Sequence, residues 1–102
     1  MVLGSMEGTH KNLIVWRESL ECVKSICRLC STFPQSETYV LSDQMRRSVI
    51  SIPSNIPEGY GRGSNKEILH FLNIALGSAT ELETQVIIAY ELGFLDDEDY
   101  VA

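Results

Sequence analysis

Apolar residues recur at spacings of three and four along most of this chain. Leu13, Trp16, Leu20, Val23, Cys27 and Cys30 form one such stripe, which predicts a first helix over about 11–32. Thr9 is its expected N-cap, and Phe33-Pro34 ends it, because a residue before proline is pushed out of the α region. A polar loop, Gln35 to Thr38, separates it from a second stripe of Leu41, Met45, Val49, Ile52 and Ile56, which predicts a helix over about 39–60. Pro53 and Pro57 fall inside that helix. Each removes an intrahelical hydrogen bond and crowds the preceding turn, so a kink is expected there. The apolar spacing nevertheless carries the helix past both prolines.

Gly59, Gly61 and Gly63 alternate in a tight connector, and Ser64 opens a third helix over about 64–92. Ser64 and Glu67 have the spacing of a capping box. Ile68, Leu72, Ala75, Ala79, Leu82, Val86 and Ala89 form its core stripe. Gly93 suits the left-handed position after a helix end, with Phe94 folding back as the hydrophobic clasp. Asp96 caps a fourth helix whose first turn, Asp97, Glu98 and Asp99, is favoured by the helix dipole. That helix has an acidic start and no body, which predicts that the native gene continues and that a chain stopping at Ala102 exposes an apolar groove.

The third helix carries more apolar surface than one seam requires. Phe71, Ile74, Ser78, Ile88 and Leu92 form a second stripe, about 100° from the first, and Leu69, Leu76 and Ile87 lie on the opposite flank. A helix this apolar is covered on most sides. The second stripe is therefore the expected oligomer interface, unless a fourth helix covers it.

Composition narrows the reading. With 102 residues, 44% hydrophobic and 22% charged, the chain is one globular domain over 6–102. Residues 1–5 read as a cloning scar ahead of Met6. No run approaches the roughly 20 apolar residues that span a bilayer, and the expected compartment is the cytoplasm. The net charge is −6, yet every Lys and Arg lies between Lys11 and Lys66, while residues 67–102 are purely acidic. That balance argues against uniform nucleic-acid coating. A local positive zone from Arg46, Arg47, Arg62 and Lys66 is the expected nucleic-acid contact, and a ring of copies would repeat it.

Candidate chemistry is sparse. Cys22, Cys27 and Cys30 make an odd count suited to a reducing compartment, and Cys27-x-x-Cys30 continues an apolar stripe. Only His10 and His70 are available as further zinc ligands. Glu67-x-x-His70 is half of a di-iron motif without its second half. Glu81 and Glu83 point to different faces, and Glu81 is the expected partner of Arg46 or Arg47 inside the bundle. The glycine connector opens a helix beside Arg62 and Lys66, where phosphate is attracted, but no strand precedes it as in nucleotide-binding loops. The expectation is no catalytic site, no metal and no cofactor.

One stretch carries a resemblance. Ile52-Pro53-Ser54-Asn55-Ile56-Pro57-Glu58-Gly59-Tyr60-Gly61-Arg62 resembles the signature of the four-helix-bundle family encoded in 23S rRNA intervening sequences. Phe71-Leu72, Ile74-Ala75-Leu76-Gly77-Ser78, Glu81-Leu82-Glu83-Thr84-Gln85 and Leu92-Gly93-Phe94-Leu95 extend it, as do Leu13-Ile14-Val15-Trp16 and Gln44-Met45-Arg46-Arg47-Ser48 upstream. It covers about residues 11–100. Pro57 departs from it, standing where the family usually has alanine, and the family's fourth helix is nearly absent. The resemblance implies an all-α, up-and-down four-helix bundle that assembles as a homopentamer and is not an enzyme. Relatives among accessory proteins of diversity-generating retroelements imply the alternative, a protein that binds RNA or DNA beside a reverse transcriptase.

Overall fold

The computed structural model describes residues 13–101, which form α1 (Ile14–Cys30), α2 (Asp43–Gly61), α3 (Asn65–Glu91) and α4 (Asp97–Val101). The fold is an all-α bundle, and α4 is five residues long. α1 and α3 both pack on α2, within an elongated body of 44 × 24 × 24 Å. The expected Thr9 cap, the expected helix start at residue 11 and residues 1–5 lie outside the described residues; α1 starts at Ile14, behind an extended Leu13.

α2 follows its expected stripe. Met45 and Val49 are fully buried, and Leu41 and Ile56 are nearly so. The chain is helical before α2 begins: Gln35–Glu37 is a 3₁₀ turn and Thr38–Ser42 a π-helical turn that leads into Asp43, in place of the expected loop over 35–38. α2 also runs through both prolines to Gly61. Pro57 has no N–H to give the Pro53 carbonyl, four residues back. The Trp16 indole supplies the missing donor from α1, its Nε1 standing 3.1 Å from that carbonyl. Side chains support the same stretch: Ser54 Oγ donates to the Ile50 carbonyl at 2.7 Å and Asn55 Nδ2 to the Ser51 carbonyl at 2.7 Å.

α1 is rotated from its expected face by less than one residue step, which is about 100°. Ser19, Ile26 and Cys30 are the buried residues, while Leu20 is 37% exposed and Cys27 half-buried. Ser19 is tolerated inside because its hydroxyl donates to the Trp16 carbonyl at 2.6 Å within its own helix. α1 ends at Cys30, two residues before the expected end, and Ser31 to Phe33 close it by short-range backbone bonds.

α2 and α3 form a tight helical hairpin. A side chain at Gly59 would meet the Cα of Ile68 at 3.0 Å and the Glu67 carbonyl at 3.1 Å, so the close approach of the two helices requires glycine there. Gly63 turns the chain at φ 79°, and Ser64 caps α3 by accepting from the Glu67 N–H at 3.2 Å. At the far end Gly93 takes φ 80°, with Phe94 N–H on the Ala89 carbonyl at 2.9 Å and Gly93 N–H on the Tyr90 carbonyl at 3.0 Å. Phe94 then packs on Phe33, ring centroids 5.5 Å apart, and Leu95 is buried. Asp96 caps α4 by accepting from the Asp99 N–H at 2.9 Å.

Candidate assembly surface

The second stripe of α3 divides along its length in the structure. Phe71 and Ser78 are half-buried against α2, whereas Ile74, Ile88 and Leu92 are 39%, 43% and 58% exposed. Between the two exposed ends lies a polar centre. Ser48 Oγ and Gln85 Nε2 both donate to Glu81 Oε1, at 3.3 and 3.2 Å. One step along, Ser78 Oγ donates to Ser51 Oγ at 2.8 Å, and Asn55 Nδ2 to the same hydroxyl at 2.9 Å. These bonds fix the register of α2 against α3.

Glu81 and Gln85 belong to the same seam. Ile74, Ser78, Glu81, Gln85, Ile88 and Leu92 follow one another at steps of four, three, four, three and four. Reading only the apolar positions hides the two polar ones, although their spacing marks them. Gln85 is 5% exposed and Glu81 is exposed. The Gln85 Nε2 must face the acceptor Glu81, which leaves its buried Oε1 without a protein donor.

The expected pairing of Glu81 with Arg46 or Arg47 does not form. Arg46 sits instead 3.6 Å from Asp43, three residues earlier on its own helix. Arg62 is 3.0 Å from Glu58 and stacks over the Phe71 ring at 5.2 Å. Arg47 and Lys66 are exposed, and neither has a hydrogen bond or ion pair among the described residues. The four bases fall into two groups: Arg46 and Arg47 near the start of α2, and Arg62 and Lys66 at the connector, about 22 Å away along α2.

The other side of the bundle holds an open apolar groove of about 640 Å³ between α1 and α3. Cys22 and Ile26 line one wall, Ala79, Leu82 and Val86 the other, with Ile52 as floor and Tyr100 of α4 at one end. Tyr100 stacks on Tyr90 at 4.2 Å between centroids, and the Tyr90 hydroxyl donates to Asp97. That bond and the nearby carboxylate push the Tyr90 hydroxyl above its ordinary pKa. Leu69 and Leu76 on this side of α3 are exposed.

The cysteines occupy packing positions, and Glu67 and His70 lie at the surface end of α3. Cys30 is buried with its Sγ 3.8 Å from the Ser42 carbonyl, and burial raises the pKa of both Cys22 and Cys30. His70 stands edge-on to the Phe71 ring, and Glu67 takes part in the α3 cap through its backbone N–H. Among the described residues, no three His, Cys, Asp or Glu side chains converge as metal ligands, and no helix is long and apolar enough to cross a membrane.

No curated protein matches the chain. The family model of the 23S rRNA-intervening sequence protein matches residues 11–102, nearly its whole length. The two-helix hairpin with its Pro53/Pro57 segment and Gly59 approach, which carries the resemblance in the sequence, thus sits within a match of that extent: the chain belongs to the 23S rRNA-intervening sequence protein family.

Proposed function

We propose that this protein is a non-enzymatic assembly module that associates with copies of itself through the flank of α3. The observation that carries this reading is the exposure of Ile74, Ile88 and Leu92 in one seam whose polar centre is already ordered by Ser48 and Gln85. Exposed apolar side chains grouped along one helix face mark an interaction surface. Five copies is the number that the family resemblance supplies. The coupling to a larger ribonucleoprotein or to a reverse transcriptase has less behind it in this chain. Two of the four bases it would use, Arg46 and Arg62, are already ion-paired, and the two pairs of bases stand at separate levels of the bundle.

Light scattering coupled to gel filtration tests the reading. The chain weighs 11.4 kDa, and the expected particle at micromolar concentration is several times that mass, five times for the pentamer. A particle of monomer mass across that range would refute it. A salt titration with structured RNA and with DNA tests the other reading; binding at low salt that Lys66→Ala abolishes would place nucleic acid at the connector.

A further inference from the structure

Glu81 is the one charged residue in the exposed seam, midway between Ile74 and Ile88 at seven residues from each. It is oriented by its own chain, since Oε1 takes hydrogen bonds from Ser48 and Gln85, and no cation of its own chain pairs with it among the described residues. Water solvates the carboxylate while the seam is open. A neighbour that covers Ile74 and Ile88 removes that water, and a buried carboxylate needs a cation in its place.

Which cation arrives is constrained by geometry. Two seams facing each other about a two-fold axis would bring Glu81 against Glu81, like charge on like, at the centre of the contact. A head-to-tail arrangement sets the seam against a different face and avoids this. Of the described cations, only Arg47 and Lys66 lack a hydrogen bond or ion pair. Lys66 is about 22 Å from Glu81 along α3. Arg47 is at the same level as Glu81, because its chain neighbour Ser48 hydrogen-bonds to that carboxylate. It points about 100° away from Ser48 around α2, so it is presented outward instead of toward its own Glu81. Copies packed side by side along the long axis of the bundle match level with level.

We propose that Arg47 of one copy closes on Glu81 of the next, so that Glu81 sets the register and the head-to-tail sense of the assembly. This rests on the assembly reading above. A single polar residue within an apolar seam fixes register by the penalty for every alignment that leaves it unpaired. The pairing completes a site that one copy leaves incomplete.

Charge reversal tests it. Glu81→Arg and Arg47→Glu, measured separately by sedimentation velocity, are each expected to weaken association at least tenfold, and the double variant to restore it. Glu81→Gln keeps an acceptor for Ser48 and Gln85 and removes only the charge, so it is expected to weaken association with helicity unchanged by circular dichroism. A wild-type protein that is monomeric defeats the assembly reading itself. A wild type that assembles, with both single reversals assembling equally well, overturns the Glu81–Arg47 pairing and leaves assembly standing. A double variant as weak as the singles, with native helicity, overturns it too.

Discussion

Trp16 Nε1 lies 3.1 Å from the Pro53 carbonyl, the acceptor that Pro57 leaves without a helical donor. One side chain of α1 thereby replaces a backbone hydrogen bond of α2, and the same contact fixes how the two helices cross. Trp16→Phe removes the donor and leaves a partly buried carbonyl unsatisfied, a cost of about 1–3 kcal/mol. Pro57→Ala restores a backbone N–H to that carbonyl. In the Pro57→Ala background, Trp16→Phe is therefore expected to cost measurably less in urea unfolding. Equal costs in both backgrounds would show that the indole acts through packing alone.

Gly59 and Gly61 are two residues apart and are expected to respond with opposite signs. Gly59→Ala pushes a methyl against backbone atoms of Ile68 and Glu67 at 3.0 and 3.1 Å, so α3 must shift away by a few tenths of an ångström. Destabilisation of about 1–3 kcal/mol follows. Gly61 is helical, and a methyl group added there would meet nothing within 4 Å, so Gly61→Ala is expected to stabilise by about 0.5–1 kcal/mol. Thermal melts of the two variants decide it, and a shift of the same sign in both would contradict the packing described.

Cys30 is 3% exposed and its thiol is held neutral by burial. It is expected to react with a thiol reagent at neutral pH far more slowly than the half-buried Cys27, and equally fast in denaturant. Mass spectrometry of partly labelled protein assigns the order. Cys30 labelling at the rate of Cys27 in native buffer would show that the α1–α2 contact opens readily.

The Tyr90–Asp97 bond predicts a pH dependence at the alkaline end. Because the folded Tyr90 pKa is raised, its contribution is fully present below the ordinary tyrosine value near 10 and is lost as pH rises through the folded value. Ultraviolet titration should show a tyrosine ionising above the ordinary tyrosine value, and Asp97→Asn should bring it down. No change in that variant would mean the carboxylate does not hold the hydroxyl.

The α2 stripe is legible in the sequence because its most deeply buried positions, Met45, Val49 and Ile56, are apolar. Helix caps are legible too, at Ser64, Gly93 and Asp96, since each depends on a few residues of local chain. α1 is harder to read, because Ser19 is polar in type yet satisfied by its own helix and turned inward. The polar centre of the α3 seam escapes the pattern for the same reason: Gln85 is buried and bonded to Glu81, and neither counts as apolar. Pairing across helices is the least legible. Asp43, one turn away, takes Arg46 before Glu81 can, and nothing in the local pattern ranks one above the other.

Copies that meet on the Ile74 flank, and not along the groove side of α3, are what the assembly reading requires above all. Two aspartates placed on opposite sides of α3 test it, Ile74→Asp on the seam and Leu76→Asp on the groove side, where the native side chains are 39% and 65% exposed. Sedimentation velocity on both is the measurement. Ile74→Asp is expected to sediment as a folded monomer while Leu76→Asp keeps the wild-type mass. Dissociation by Leu76→Asp with Ile74→Asp still assembled would contradict it.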